Sequence, residues 1–211
     1  MNNIEQLIAG LSKDAQAVKP APRPWLLGLK WLGVAAVYLL VALLFAGPRP
    51  DWALQLQKPW FVAEVVLLLG ILVSTAFSAA ILSFPDLHQQ RRAAFAPVWI
   101  FALFALVMLI SWLADNPPSP LPVHSFECTL SILMFSLLPT AGIFYAMRQF
   151  ASTHLRLSGI VAVLFAFSTG ALWLRLHEQT DSIIHLVEWH YLPMIAVAAA
   201  GWLLGKVLLK W

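Results

Sequence analysis

Charge is scarce in this chain. Asp, Glu, Lys and Arg make up 11% of its 211 residues, well under the roughly 25% of a soluble domain. Hydrophobic side chains make up 61%, and mean hydropathy is +0.80. A fully soluble protein is therefore excluded as the simplest reading, and one membrane domain with a small soluble appendage takes its place. Cysteine is nearly absent too. With Cys128 alone, no intrachain disulfide framework can form. The chain lacks a Gly-rich phosphate loop and any nucleophile–base pair at signature spacing, so no catalytic residue is assigned and no enzyme is expected. No secretory signal is expected in the first 25 residues, which carry Glu5 and Asp14 and have no long apolar core. The chain lacks an internal repeat, which removes support for a two-fold transporter architecture. The net charge of +3 gives no basis for a direct nucleic-acid partner.

What is present in quantity is apolar sequence in long runs. A spanning helix needs about 20 mostly apolar residues, because the hydrocarbon core is roughly 30 Å thick and each residue rises about 1.5 Å. Six stretches qualify, at about 26–46, 60–84, 93–114, 128–147, 157–176 and 189–209. Pro, Gly and charge gather at every break between them. The expected fold is all-α: a polytopic bundle of six transmembrane helices (residues 26–211) behind a short N-terminal tail (residues 1–25). The bilayer is one partner; the oligomeric state is not legible.

Cationic residues set the orientation, since cytoplasmic flanks hold more Lys and Arg. Lys13, Lys19, Arg23, Lys30, Arg91, Arg92, Arg148, Arg156, Lys206 and Lys210 fall on one side, against Arg49, Lys58 and Arg175 on the other. Both termini are thus expected in the cytoplasm, with loops one, three and five facing outward across a bacterial inner membrane.

The tail has a helical stripe. Ile4, Leu7, Ile8 and Leu11 fall at i, i+3, i+4 and i+7, weakly extended by Ala15 and Val18. A helix of about 15 residues is marginal alone, so the stripe needs a surface. Periodicity leaves three: the bilayer, the cytoplasmic ends of the chain's own spans, or a groove on a partner. The spacer "VKPAPRPW" favours the partner, because alternating Pro prefers an extended geometry that holds the helix off the membrane.

Ionisable residues inside spans usually carry function, and here no span has one near its middle. That argues against a proton relay or ion-coupled carrier. Glu64 and Arg175 lie near the outward ends of spans two and five, where they either pair or each reach water. The remaining polar chemistry collects outside. Asp115, His124, Glu127 and Cys128 flank loop three, and His177, Glu178, Asp181, His185, Glu188 and His190 flank loop five. These residues are either loop-edge groups that cap helices and bind water, or a set of thiol, imidazole and carboxylate ligands for a borderline metal ion. No bound cofactor is required otherwise. The candidate sensing or metal residues are Cys128, His177, Asp181, His185 and His190. If the last helix starts early, Asp181, His185 and Glu188 fall on one face.

Several segments together resemble the NrsF-type anti-sigma proteins. These are membrane-bound negative regulators of extracytoplasmic-function sigma factors. The matching segments are "LIAGLSKDAQAVKP", "GPRPDWALQLQKPWFVAEVVLLL", "HSFECTLSILMFSLLP" and "LRLHEQTDSIIHLVEWHYLPM". The polar punctuation at Asp51, Glu64, Cys128, His177 and "WHYLP" carries most of the specificity. The resemblance implies a sigma factor as partner, held through Ile4, Leu7, Ile8, Leu11, Asp14 and Val18 and released on an envelope, metal or oxidative stress signal. It departs at one informative place. The family usually has a second cysteine, associated with heavy-metal stress sensing, where this chain has Glu178. The alternative from composition alone is a small-solute permease or channel-like protein with a regulatory N-terminal helix.

Overall fold

A computed structural model describes residues 2–14, 20–85, 89–114 and 126–210. The described residues are helical wherever they are regular: α1 (Asn2–Asp14), α2 (Pro24–Ala46), α3 (Trp52–Gln55), α4 (Pro59–Leu82), α5 (Arg91–Ala94), α6 (Ala96–Ala114), α7 (Phe126–Met147), α8 (Leu155–His177), α9 (Ile183–His185), a π-helical turn (Leu186–Tyr191) and α10 (Pro193–Leu208). Six of these helical stretches are long and apolar enough to cross a membrane. They match the six expected spans, with two refinements. The third begins with the short α5 turn, and the sixth begins at Ile183 because α9 and the π turn run into α10.

Helix starts follow local chemistry. Pro24, Pro59 and Pro193 each stand in a first turn, where a missing N–H costs nothing and φ is already helical. Pro139 lies inside α7. Hydroxyls bridge the turns beside it, since Ser136 donates to the Ile132 carbonyl and Thr140 to the Ser136 carbonyl, both at 2.7 Å.

α4 and α8 form the centre of the bundle. In their most apolar stretches 61% and 78% of residues are buried, against 28% or less in the other four spans. α8 packs against α10, α7, α4 and α2, and α4 also holds α6 and α2. The closest approach is between α8 and α10, where Gly159 meets Gly201 and Gly205. A Cβ on any of the three would run into the facing backbone, so small residues set the helix separation as they do in lipid. Outward faces are apolar: Phe45, Leu44, Trp99, Leu113 and Val207 are among the most exposed side chains. Such a continuous apolar exterior fits hydrocarbon as the surrounding solvent, and is far larger than a soluble monomer tolerates.

Candidate functional site

Two polar centres occupy the bundle end formed by the α2–α4 and α8–α9 connections. The first is ionic. Gly47 (φ 81°) ends α2, and its carbonyl accepts from His177 Nδ1 at 2.7 Å. Two residues on, the Arg49 N–H donates to the Leu176 carbonyl at 2.9 Å. This fastens the first loop onto the end of α8 and buries Arg49 almost completely. Its guanidinium grips Asp51 through Nε (2.7 Å) and Nη2 (2.9 Å), and reaches Asp181 through Nη1 (3.1 Å). Gln55 donates to both carboxylates, at 2.6 and 2.8 Å, and Lys58 to Asp181 at 3.2 Å.

Arg175 extends the same network inward. Its Nε donates to Glu64 at 2.9 Å, and its Nη1 to the Thr180 carbonyl and Asp181 at 3.1 Å. Glu64 and Arg175 thus meet as a pair, and both side chains are only 4% exposed. The reading in which each reaches water is corrected: the Tyr191 hydroxyl, on the far side, donates to the second Glu64 oxygen and closes the site. Phe61 lies under both guanidinium groups, as cation–π packing favours. Three cations (Arg49, Lys58, Arg175) face three carboxylates (Asp51, Asp181, Glu64), so the network is electrically balanced. Burial works against the Asp181 carboxylate, but Arg49 and Arg175 outweigh it and hold the group below the usual range. Arg49 and Gln55 likewise hold Asp51 low.

The second centre is built from three segments. Cys128 lies in the first turn of α7. Glu178 directly follows α8. His185 and His190 bracket the π turn. In an α-helix, residues five apart point about 140° away from each other. Here the backbone closes a wider ring, with the Leu192 N–H donating to the Val187 carbonyl five residues back at 2.8 Å. A wider turn of this kind carries i and i+5 toward one face. The two Nε2 atoms consequently stand 3.1 Å apart, on side chains with 0% and 1% exposure. Glu178 Oε2 is 3.2 Å from His190 Nε2, and Oε1 is 3.8 Å from His185 Nε2. The Cys128 thiol donates to Glu178 at 3.4–3.5 Å. One donor atom from each of the four residues lies within 4.8 Å of all the others. Burial tends to raise the Glu178 carboxyl, but donation from His190 and Thr180, the His190 charge and the Cys128 thiol hold it at about 2. Neither histidine Nδ1 has a hydrogen-bond partner among the described residues.

Of the five expected sensing residues, the fold thus brings Cys128, His185 and His190 together and sends the other two elsewhere. His177 faces Gly47 and stacks on Trp173. Asp181 belongs to the ionic network. Asp181, His185 and Glu188 do not share a helical face, because Ser182 is the cap and the helix starts only at Ile183. Glu178 is absent from the expected sensing set, although it stands among the polar residues that flank loop five. The sequence marks Arg49 only as a topological charge within a matching segment, and Tyr191 only as part of the matching "WHYLP"; neither is expected as a site residue.

α1 leaves its stripe uncovered. Ile4, Leu7 and Ile8 are 60–67% exposed. Val18, and the side chains of Leu11 and Asp14, lie outside the described residues.

Comparison with known proteins places this chain in one family. The family model described as negative regulator of sigma F, NrsF, matches residues 11–211. A relative from Azospira oryzae, named as a probable anti-sigma-F factor NrsF, is 29% identical over 220 residues, covering 98% of this chain and 99% of its own. No solved structure matches.

Proposed function

The chain belongs to the NrsF family of negative regulators of sigma F, and we propose that it performs this anti-sigma role by holding an extracytoplasmic-function sigma factor on the cytoplasmic face through α1. Such a role is one of binding, not of catalysis. The observation that carries the proposal is the uncovered stripe of Ile4, Leu7 and Ile8 on a helix too short to stand alone. The stripe enters an apolar groove on the sigma factor, and the occupied surfaces are then closed to RNA polymerase. Leu11, Asp14 and Val18 continue the contact. The six spans, in a bacterial inner membrane with both termini cytoplasmic, anchor the tail and carry the input. The two polar centres, facing outward in that orientation, are where an envelope stress signal acts.

Each apolar anchor contributes about 1.5–3 kcal/mol when buried. Losing two therefore weakens binding by about 3–6 kcal/mol, a hundredfold or more. The test uses the full chain, solubilised from native membranes as bait, beside an Ile4→Asp/Leu7→Asp variant. Recovery of one sigma factor by the native chain and its loss from the variant is expected. Equal recovery by both, with both present at equal amounts, overturns the role of α1; recovery of no sigma factor by either overturns the wider reading.

A further inference from the structure

We propose that Cys128, Glu178, His185 and His190 form a four-coordinate site for a borderline divalent cation of the Zn²⁺ class. The inference deepens the outward-facing half of the proposed function, and what the ion does to sigma release rests on that reading. Ion binding itself does not.

The donor set selects the ion. One thiolate, two imidazoles and one carboxylate suit Zn²⁺ and its neighbours, whereas Mg²⁺ and Ca²⁺ require shells of oxygen. The spacing agrees with tetrahedral coordination. With metal–nitrogen bonds of about 2.0–2.1 Å and metal–sulfur of about 2.3 Å, ligand atoms stand roughly 3.3–3.5 Å apart. The two Nε2 atoms are 3.1 Å apart, Glu178 Oε2 lies 3.2 Å from His190 and Oε1 3.8 Å from His185, Cys128 Sγ lies 3.4–3.5 Å from Glu178, and all four donor atoms lie within 4.8 Å of one another, so side-chain shifts of about 1 Å complete the shell.

Protonation satisfies this arrangement poorly. Two imidazole Nε2 atoms aimed at one another share at most one useful proton, and both rings are buried. A divalent ion takes both lone pairs at once. It also neutralises one thiolate and one carboxylate, so the loaded site carries no net charge at the edge of an apolar bundle, where uncompensated charge is costly. The site links the start of α7 to the end of α8 and to the π turn, so the ion fastens three segments otherwise joined by few polar contacts. The pairing of His185 with His190 depends on the π turn, a form that recurs at functional sites. The site holds the chain's single cysteine, so it binds through one sulfur and oxidation cannot join two thiols within it.

The test is Co²⁺ titration of the purified full-length chain in detergent micelles after chelator treatment. Expected are a near-ultraviolet thiolate-to-cobalt band and visible bands of tetrahedral intensity, saturating at one ion per chain and abolished by Zn²⁺. Cys128→Ser should remove the near-ultraviolet band, and His190→Gln should weaken binding at least tenfold. Glu178→Cys should strengthen the near-ultraviolet band about twofold, because a second thiolate joins the shell. His177→Gln, whose ring lies outside the cluster, should bind like the native chain. Absence of the bands from the native chain, or their persistence in Cys128→Ser, overturns the site. Neither readout depends on a sigma factor, so failure here is distinct from failure of the tail to bind one.

Discussion

The buried pair Glu64–Arg175 permits the sharpest stability test. Arg175→Met keeps the length and apolar stem of the side chain but removes its charge. Glu64 then keeps one partner, the Tyr191 hydroxyl, inside a site where its side chain is 4% exposed. Asp181 loses one donor but retains Arg49, Lys58 and Gln55, so most of the cost falls on Glu64. Breaking a buried pair by removing one partner costs about 3–5 kcal/mol, because the remaining charge is uncompensated. Removing both partners costs much less, since two desolvated charges are traded for neutral packing. Glu64→Gln combined with Arg175→Met should therefore recover at least about 2 kcal/mol of the single-variant loss, within the range of contact couplings. The assay is reversible unfolding in mixed micelles, read by tryptophan fluorescence, for both single variants and the double. A single Arg175→Met loss under about 1 kcal/mol, or strictly additive energies, refutes the uncompensated-charge argument.

Two further outcomes follow from the ionic network. Asp181 has a folded-state pKa below its ordinary value of 3.8, so the stability it contributes is fully present above that value and is lost as pH falls through the depressed one. Acid titration of unfolding should show this loss below pH 3.8, and Asp181→Asn should flatten it; an unchanged slope in the variant removes Asp181 as its source. Arg49→Gln should free the end of α2 from Asp51 and Asp181, raising transcription from a sigma-dependent reporter at least severalfold without stress. The affinity of the tail should stay unchanged, and full repression by that variant at normal protein levels refutes a role for the network in signalling.

The spans were legible because bilayer thickness imposes a length that composition alone can meet. The fifth is expected at 157–176 and is found at Leu155–His177. Glu64 and Arg175 were legible as a candidate pair because both lie at the same depth in spans with no other charge at that level. The cysteine site was legible only by composition. A period of 3.6 puts Asp181, His185 and Glu188 on one face and sets His185 and His190 apart. The π turn reverses this, and nothing in the local sequence announces a five-residue ring. Arg49 was illegible for a different reason. Its burial depends on contacts with Leu176 and Asp181, more than 120 positions away, and a linear reading sees only a loop arginine after two span-breaking residues.

The same contacts bear on how the proposed outward signal would reach the tail. A ligand moves a two-state equilibrium only through unequal affinity for the two states, so some element must touch both ends. α4 and α8 are poor candidates because they are the most heavily packed of the six. α2 differs. Only 11% of its most apolar stretch is buried, and Pro24 at its start follows directly on the spacer that carries α1. Its other end is held firmly, through the Gly47 carbonyl on His177, the Arg49 amide on Leu176 and the Arg49 guanidinium on Asp51 and Asp181. A rigid helix of 23 residues transmits a displacement along about 34 Å. The segment that holds it at the far end, 176–181, also contains Glu178, the carboxylate shared by Cys128, His185 and His190. Whatever changes the hold on Glu178 therefore acts within three residues of the grip on α2, and the lightly packed span is the one that leads to the tail.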